Sequence, residues 1–264
     1  MFRKRSGGQI AFWATLVVAL AVVAAYFGPQ VVAYWRVRKE LVRSNDDPPR
    51  GWSSVPHPLT DLALSHAEGT ILSYYGFRFE APWKEVDRVR DTERTIEVRF
   101  KSGQSISLAN PDYFYADPVS NDYAKADPEV FTRAFGPAIR ESKYAQFREV
   151  VSTTPSQCWP FQSHRQFARC CVLLEIKGLW FEHNSAAPDI LTFETETYRG
   201  FEISGLSRDW QNVSVNLFDD TNHWLLLNIS GDDRTGIRIN QAEVNRVIQT
   251  FAPVGAPQSS SPPS

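Results

Sequence analysis

The stretch "FEHNSAAPD" supplies Glu182, His183 and Asp189, oxygen and imidazole donors that would surround a divalent ion if the loop folded back. Zinc sites are built from tighter pairs such as H-E-x-x-H or two C-x-x-C halves, and calcium loops alternate oxygen ligands around a glycine. Neither spacing occurs here. Cys170 and Cys171 are adjacent, whereas redox dithiols use C-x-x-C, a geometry that lets the sulfurs meet and depresses one thiol pKa. Packing is the expected role of at least one of them. On a helix the two side chains point about 100° apart, one toward the core and one toward its rim. Cys158 would bridge to Cys170 or Cys171 only if the domain were exported.

His57, His66, His164, His183 and His223 are scattered, no G-x-S-x-G turn presents a serine, and nothing ties any serine to any histidine. No G-x-x-x-x-G-K-[ST] or G-x-G-x-x-G offers a backbone cradle for phosphate. "DDTN" and "GDDRTG" share only their acidity with calcium loops; Asp, Asn and Gly in such runs bond back to their own backbone as turns. The residue types therefore designate no catalytic, cofactor or metal site, and no cofactor is expected. The expected role is a non-catalytic binding or accessory domain. The alternative is a membrane-anchored enzyme or ligand sensor with a dispersed site, to which Glu182, His183 and Asp189 are the candidate contributors for an enzyme.

One connection invites a partner. Asn110 to Pro128, "NPDYFYADPVSNDYAKADP", carries Asp112, Asp117, Asp122 and Asp127 among Tyr113, Phe114, Tyr115 and Tyr123. Long loops in compact domains are functional or disordered, and four aromatic rings argue against disorder. The rings either fold onto a sheet edge or face outward, where Tyr and Asp would suit a protein partner.

The N-terminal region decides the compartment. Arg3, Lys4 and Arg5 precede eighteen uncharged residues, Ile10 to Phe27, and the next charge is Arg36. About 20 apolar residues cross a bilayer, so the stretch from Ile10 to Trp35 is expected to lie in lipid, with Pro29 kinking or ending the helix. Tyr34 and Trp35 at one end, and Phe12 and Trp13 at the other, suit the headgroup level. Val23 and Ala25 would permit cleavage before Tyr26, but the apolar region exceeds the roughly 7–15 residues of a cleaved leader. A retained signal-anchor is expected. Basic residues flank both ends, and a short tail inside with a long domain outside is the commoner arrangement. The domain is thus placed on the non-cytoplasmic side of a cell membrane.

Of 28 Lys and Arg and 30 Asp and Glu, seven and one fall within residues 1–43, which leaves the remainder at −8. Such a surface repels phosphate backbones, so no nucleic acid is expected to bind.

These boundaries follow: a basic tail over 1–9, a transmembrane helix over 10–35, a juxtamembrane segment and Pro/Ser/Asp-rich linker over 36–60, a domain over 61–251, and a disordered tail over 252–264. Within the domain, Tyr75, Phe77 and Phe79 alternate with polar residues, as do Ile96, Val98 and Phe100 before a turn at Ser102 and Gly103 and a return strand through Ile106 and Leu108. Asp127 and Pro128 would start a helix over "EVFTRAF"; "SKYAQFREVV" is amphipathic through Tyr144, Phe147 and Val151; Ser163 and Gln166 open a helix over "SHRQFARCCVLLEIKGLWF". Segments around Leu191 and Phe193, Phe201 and Ile203, Val213 to Leu217, and Leu225 to Ile229 read as an antiparallel meander with one wet face, which points Glu202 toward water. Asn240 and Glu243 box the last helix, Ile239 and Val244 staple it, and Val244, Val247, Ile248 and Phe251 form its apolar stripe.

The order implies an α+β fold: an N-terminal transmembrane helix, then one mostly antiparallel sheet covered by helices. In outline it resembles the sandwich of the photosystem II extrinsic subunit P and its relatives. No motif carries that likeness, and it transfers no activity or residue.

Overall fold

The computed structural model describes residues 7–43, 53–110, 142–181, 188–206, 211–232 and 235–255. Its first element is one continuous helix, α1 (Gly7–Arg43), which runs through Pro29. Its stretch Thr15–Trp35 is long and apolar enough to cross a membrane, and little of it is covered by the rest of the protein.

The two-residue period beyond residue 188 produces the meander: β7 (Asp189–Glu194), β8 (Arg199–Ser204), β9 (Asn212–Phe218) and β10 (Trp224–Ser230), each antiparallel to the next. The earlier segments supply β4 (Val86–Asp91), β5 (Thr95–Phe100) and β6 (Ser105–Ala109). Together with β1 (Pro56–Pro58) they form an eight-stranded sheet in the order β1-β7-β8-β9-β10-β6-β5-β4. Only the β1–β7 pairing is parallel within it. The β1 residues fall where composition indicates a linker; the two prolines suit an edge, where a missing N–H interrupts no central ladder.

A second sheet has the order β11-β3-β2, from β2 (Thr70–Tyr74), β3 (Phe77–Ala81) and β11 (Ala252–Pro253). Tyr75 belongs to the β2–β3 turn rather than to a strand. It and Gly76 have φ of 52° and 81°, the left-handed pair that a two-residue hairpin demands.

Three further helices are described: α2 (Lys143–Ser152), α3 (His164–Phe181) and α4 (Gln241–Thr250). Ser142 caps α2 through the Ala145 N–H. Asn240 accepts from the Glu243 N–H while Glu243 accepts from the Asn240 N–H, the reciprocal box that its spacing implies. The proposed helix over "EVFTRAF" and the Asn110 to Pro128 connection lie outside the described residues, apart from Asn110 itself.

Register shows how the layers stack. Phe201 of β8 and Phe218 of β9 lie on one face and pack with Phe147 and Val151 of α2 and Phe181 of α3. The Phe147 ring is 5.1 Å from Phe201 and 5.5 Å from Phe218. Val213, Val215 and Leu217 lie on the opposite face, in a core shared with Phe79 of the small sheet and with Val244, Val247 and Ile248 of α4. Helices thus cover the meander on one side, and α4 and the small sheet cover the other. The expected wet face does not exist there: Glu202 is 0% exposed and Asn216 3%. Strand alternation reports which residues share a face, but not whether a second layer covers the polar one.

Truncating Phe201 to Ala removes the ring against which Tyr144 and Phe147 rest. A loss of about 3–5 kcal/mol is expected, measured by denaturant unfolding of the detergent-solubilised chain. An effect below about 1 kcal/mol would mean that α2 does not cover this face.

Candidate functional site

Among the described residues, one concavity lies where β1 meets the start of α4. It is an open groove of about 440 Å³. His57, Asp61, Leu191, Leu206, Asn240 and Gln241 are among its lining residues. Parallel pairing of β1 sets His57 opposite Leu191, and Leu191 is in turn opposite Glu202. The groove therefore sits over the strand pair that carries the buried acid.

Polar side chains hold its walls. Gln241 Nε2 donates to Glu202 Oε2 at 2.7 Å and to Asn245 Oδ1 at 3.0 Å. Asn245 Nδ2 donates to the Asp61 and Ala63 carbonyls at 2.8 and 2.9 Å. This relay fastens the segment after β1 onto α4. Asp61 Oδ1 accepts from the Ala63 N–H, and the Asn240 side chain is committed to its cap. The wall is preorganised by these bonds, which suits binding.

Glu202 is the least expected group beside it. Its neighbours on the same face of the sheet are Leu191 and Val215. Its Oε1 has no hydrogen-bond partner among the described residues. Burial raises its carboxyl pKa above the ordinary value; Gln241 and Ser204 oppose this, and Asp189 adds to it. Asp189, opposite Ser204 at the start of β7, is the described member of the Glu182, His183 and Asp189 trio. Glu182 and His183 lie outside the described residues. Among the described residues no group of three His, Cys, Asp or Glu could hold a metal ion.

Three other reactive-looking groups resolve into structural roles. At the β9–β10 turn, Asp219, Thr221 and His223 adjoin. Both the Thr221 hydroxyl and Asp219 Oδ2 meet the same ring nitrogen, Nδ1, at 2.8 and 2.9 Å. A hydrolytic triad instead places the acid and the nucleophile on different nitrogens. Asp219 Oδ1 accepts from the Thr221 and His223 N–H groups, so "DDTN" is turn chemistry. Burial works against the Asp219 charge, but the bonds from His223 and Thr221 prevail and hold its pKa below the ordinary range.

Lys177 is wholly buried, and its amine donates to the carbonyls of Ser54, Val151 and Thr153 at 2.6, 2.8 and 2.8 Å. Burial pushes its pKa down to about 8. All three ammonium protons are engaged in tying α3 to the end of α2, which leaves none for chemistry.

Cys158 and Cys170 form a disulfide. Cys171 is free and half-buried, and burial raises its thiol pKa, the reverse of an activated nucleophile.

Sequence reading missed Glu202 and Gln241 because "FEI" alternates like an ordinary half-exposed strand, and Gln241 looks like any polar first-turn residue. The Asn240–Glu243 box beside them was the available signal, since it places Gln241 at the start of α4. No protein-family model matches the chain, and no curated protein or solved structure matches it. The outline likeness to the photosystem II extrinsic subunit P thus gains no support from structural comparison.

Raising an acid's folded pKa means that the folded state retains its proton to higher pH than the unfolded chain does. The contribution of Glu202 to stability is therefore full below the ordinary value of 4.5 and is lost as pH rises through its elevated folded pKa. Glu202→Gln imitates the protonated form and accepts from Gln241. It should match the parent at pH 4 and unfold at a higher temperature than the parent at pH 8. Identical pH slopes for the two chains would remove the buried acid from this account.

Proposed function

We propose that this protein is a single-pass membrane-anchored binding or accessory module without catalytic chemistry, its α+β domain held on the non-cytoplasmic side. The observation that carries the reading is α1: an apolar helix whose surface the domain leaves uncovered has lipid as its natural solvent. The preorganised groove between β1 and α4 supports ligand binding, because its polar groups fix the wall rather than activate a nucleophile. The Cys158–Cys170 disulfide supports the exported orientation, since such bonds persist in oxidising compartments. A protein partner at Asn110 to Pro128 belongs to the same proposal and rests on sequence alone.

A ligand sensor is the second reading, and Glu202 favours it. Its Oε2 is held by the groove residue Gln241 while its Oε1 is unpartnered among the described residues, so a ligand that displaced the Gln241 amide would free an acid whose proton affinity burial has raised.

The full-length chain should remain in membranes washed with alkaline carbonate, and a variant lacking residues 7–27 should be released. A C-terminal reporter that folds only outside the cytoplasm should be active. A mature chain beginning near Tyr26 and staying in the supernatant would contradict the anchored reading; an inactive reporter on a membrane-bound chain would reverse the orientation.

A further inference from the structure

The apolar helix does not stand clear of the domain. Tyr26, Phe27 and Gln30, on one side of α1, meet the start of α3 and the loop before it. The Tyr26 ring lies 4.4 Å from that of His164, and the Phe27 ring 5.5 Å from that of Phe161. Gln30 is 4% exposed and hydrogen-bonds to His164 through its amide.

That contact limits where lipid can end. If hydrocarbon continued to Trp35, the Phe27 contact would lie about 12 Å beneath its surface. His164 and Arg165, both exposed, would be drawn into the membrane with it, a placement that bilayers strongly disfavour. If hydrocarbon instead ends near Phe27, the run from Ile10 has eighteen residues. They rise about 27 Å, close to the thickness of a bilayer core. The segment 28–35 then stands beside the domain rather than in lipid, and the expected span from Ile10 to Trp35 shortens accordingly.

At the level of Phe27, the loop before α3 displays Trp159, 59% exposed, and Phe161, 50% exposed, with their ring centroids 5.4 Å apart. The loop is braced from both sides. Cys158 is tied to Cys170 in the second turn of α3, Pro160 is buried, and a capping box closes the 3-10 turn Pro155–Gln157 just before it. Two large rings are thus held outward beside the exit point of an apolar helix. Amphipathic and aromatic rings favour that depth, and Arg165, exposed in the first turn of α3, is suited to lipid phosphate.

We propose that Trp159 and Phe161 form a second membrane contact, inserted at the headgroup level next to α1, so that the domain rests on the bilayer instead of hanging from a tether. The proposal rests on the anchored reading above. Ring continuity from Phe27 through Phe161 to Trp159 makes the lipid surface, rather than a second protein, the occupant of this patch.

The test uses the full-length chain reconstituted into phosphatidylcholine vesicles, with and without phospholipid brominated close to the headgroup. The Trp159 signal is the difference between the parent and Trp159→Phe, a substitution at an exposed ring that leaves the core intact. The expected result is a blue-shifted Trp159 component that loses emission in brominated lipid and resists acrylamide. A component quenched by acrylamide and not by brominated lipid would overturn the proposal, as would one shielded from both, which would place protein over the patch. Vesicle flotation and the corresponding Trp13→Phe difference, measured on the same samples, separate the two readings. A chain that floats with a lipid-quenched Trp13 but an unquenched Trp159 sinks this proposal alone, and a chain that fails to float sinks the anchored reading with it.

Discussion

Both faces of the meander are covered, and the remaining architecture accommodates that burial. Phe201 and Phe218 look toward α2 and α3, while Val213, Val215 and Leu217 look toward α4 and the small sheet. A strand in that position has no wet side for its polar residues, so each needs a partner inside. Asn216 accepts from the Trp224 indole, and Asn245 donates to two carbonyls of the segment after β1. Lys177 meets three carbonyls and, among the described residues, no carboxylate. Glu202 is the member of this set that is only half satisfied. It is also the one beside a groove.

Local signals were legible where they were complete within a few residues. The Asn240–Glu243 box and the Val244, Val247, Ile248 stripe needed nothing beyond α4 itself, and the Tyr144, Phe147, Val151 face of α2 needed only its period. Strand pairing in the meander followed from alternation and short turns. The second covering layer could not be read, because it depends on α4 returning from far along the chain to lie against β8 and β3. Glu202 was consequently assigned to water, and Tyr75 to a strand whose turn required positive φ. The groove escaped for the same reason: its walls come from His57 to Asp61, Leu191, Leu206 and Ile239 to Gln241, segments far apart in sequence.

The membrane end obeys a related rule. An apolar surface that protein leaves bare must find lipid, and a polar group near it must find protein. Gln30 meets the second requirement against His164. Hydropathy alone runs the apolar stretch to Trp35, since Val31, Val32 and Ala33 are as apolar as the residues before Phe27. The packing of α1 on α3 separates the residues that touch the domain from the bare apolar run before them. The Cys158–Cys170 disulfide holds the loop at that junction, so the single covalent crosslink among the described residues lies where the domain meets its apolar helix.

Carboxyl footprinting of the folded, solubilised chain, with carbodiimide and an amine and readout by peptide mass spectrometry, tests two-sided burial most directly. Glu194 and Glu196, both exposed on the strand ends and turn next to β8, should label readily, while Glu202 should stay unmodified until the chain unfolds. Labelling of Glu202 at the rate of Glu194 would restore the wet face and contradict the layered core.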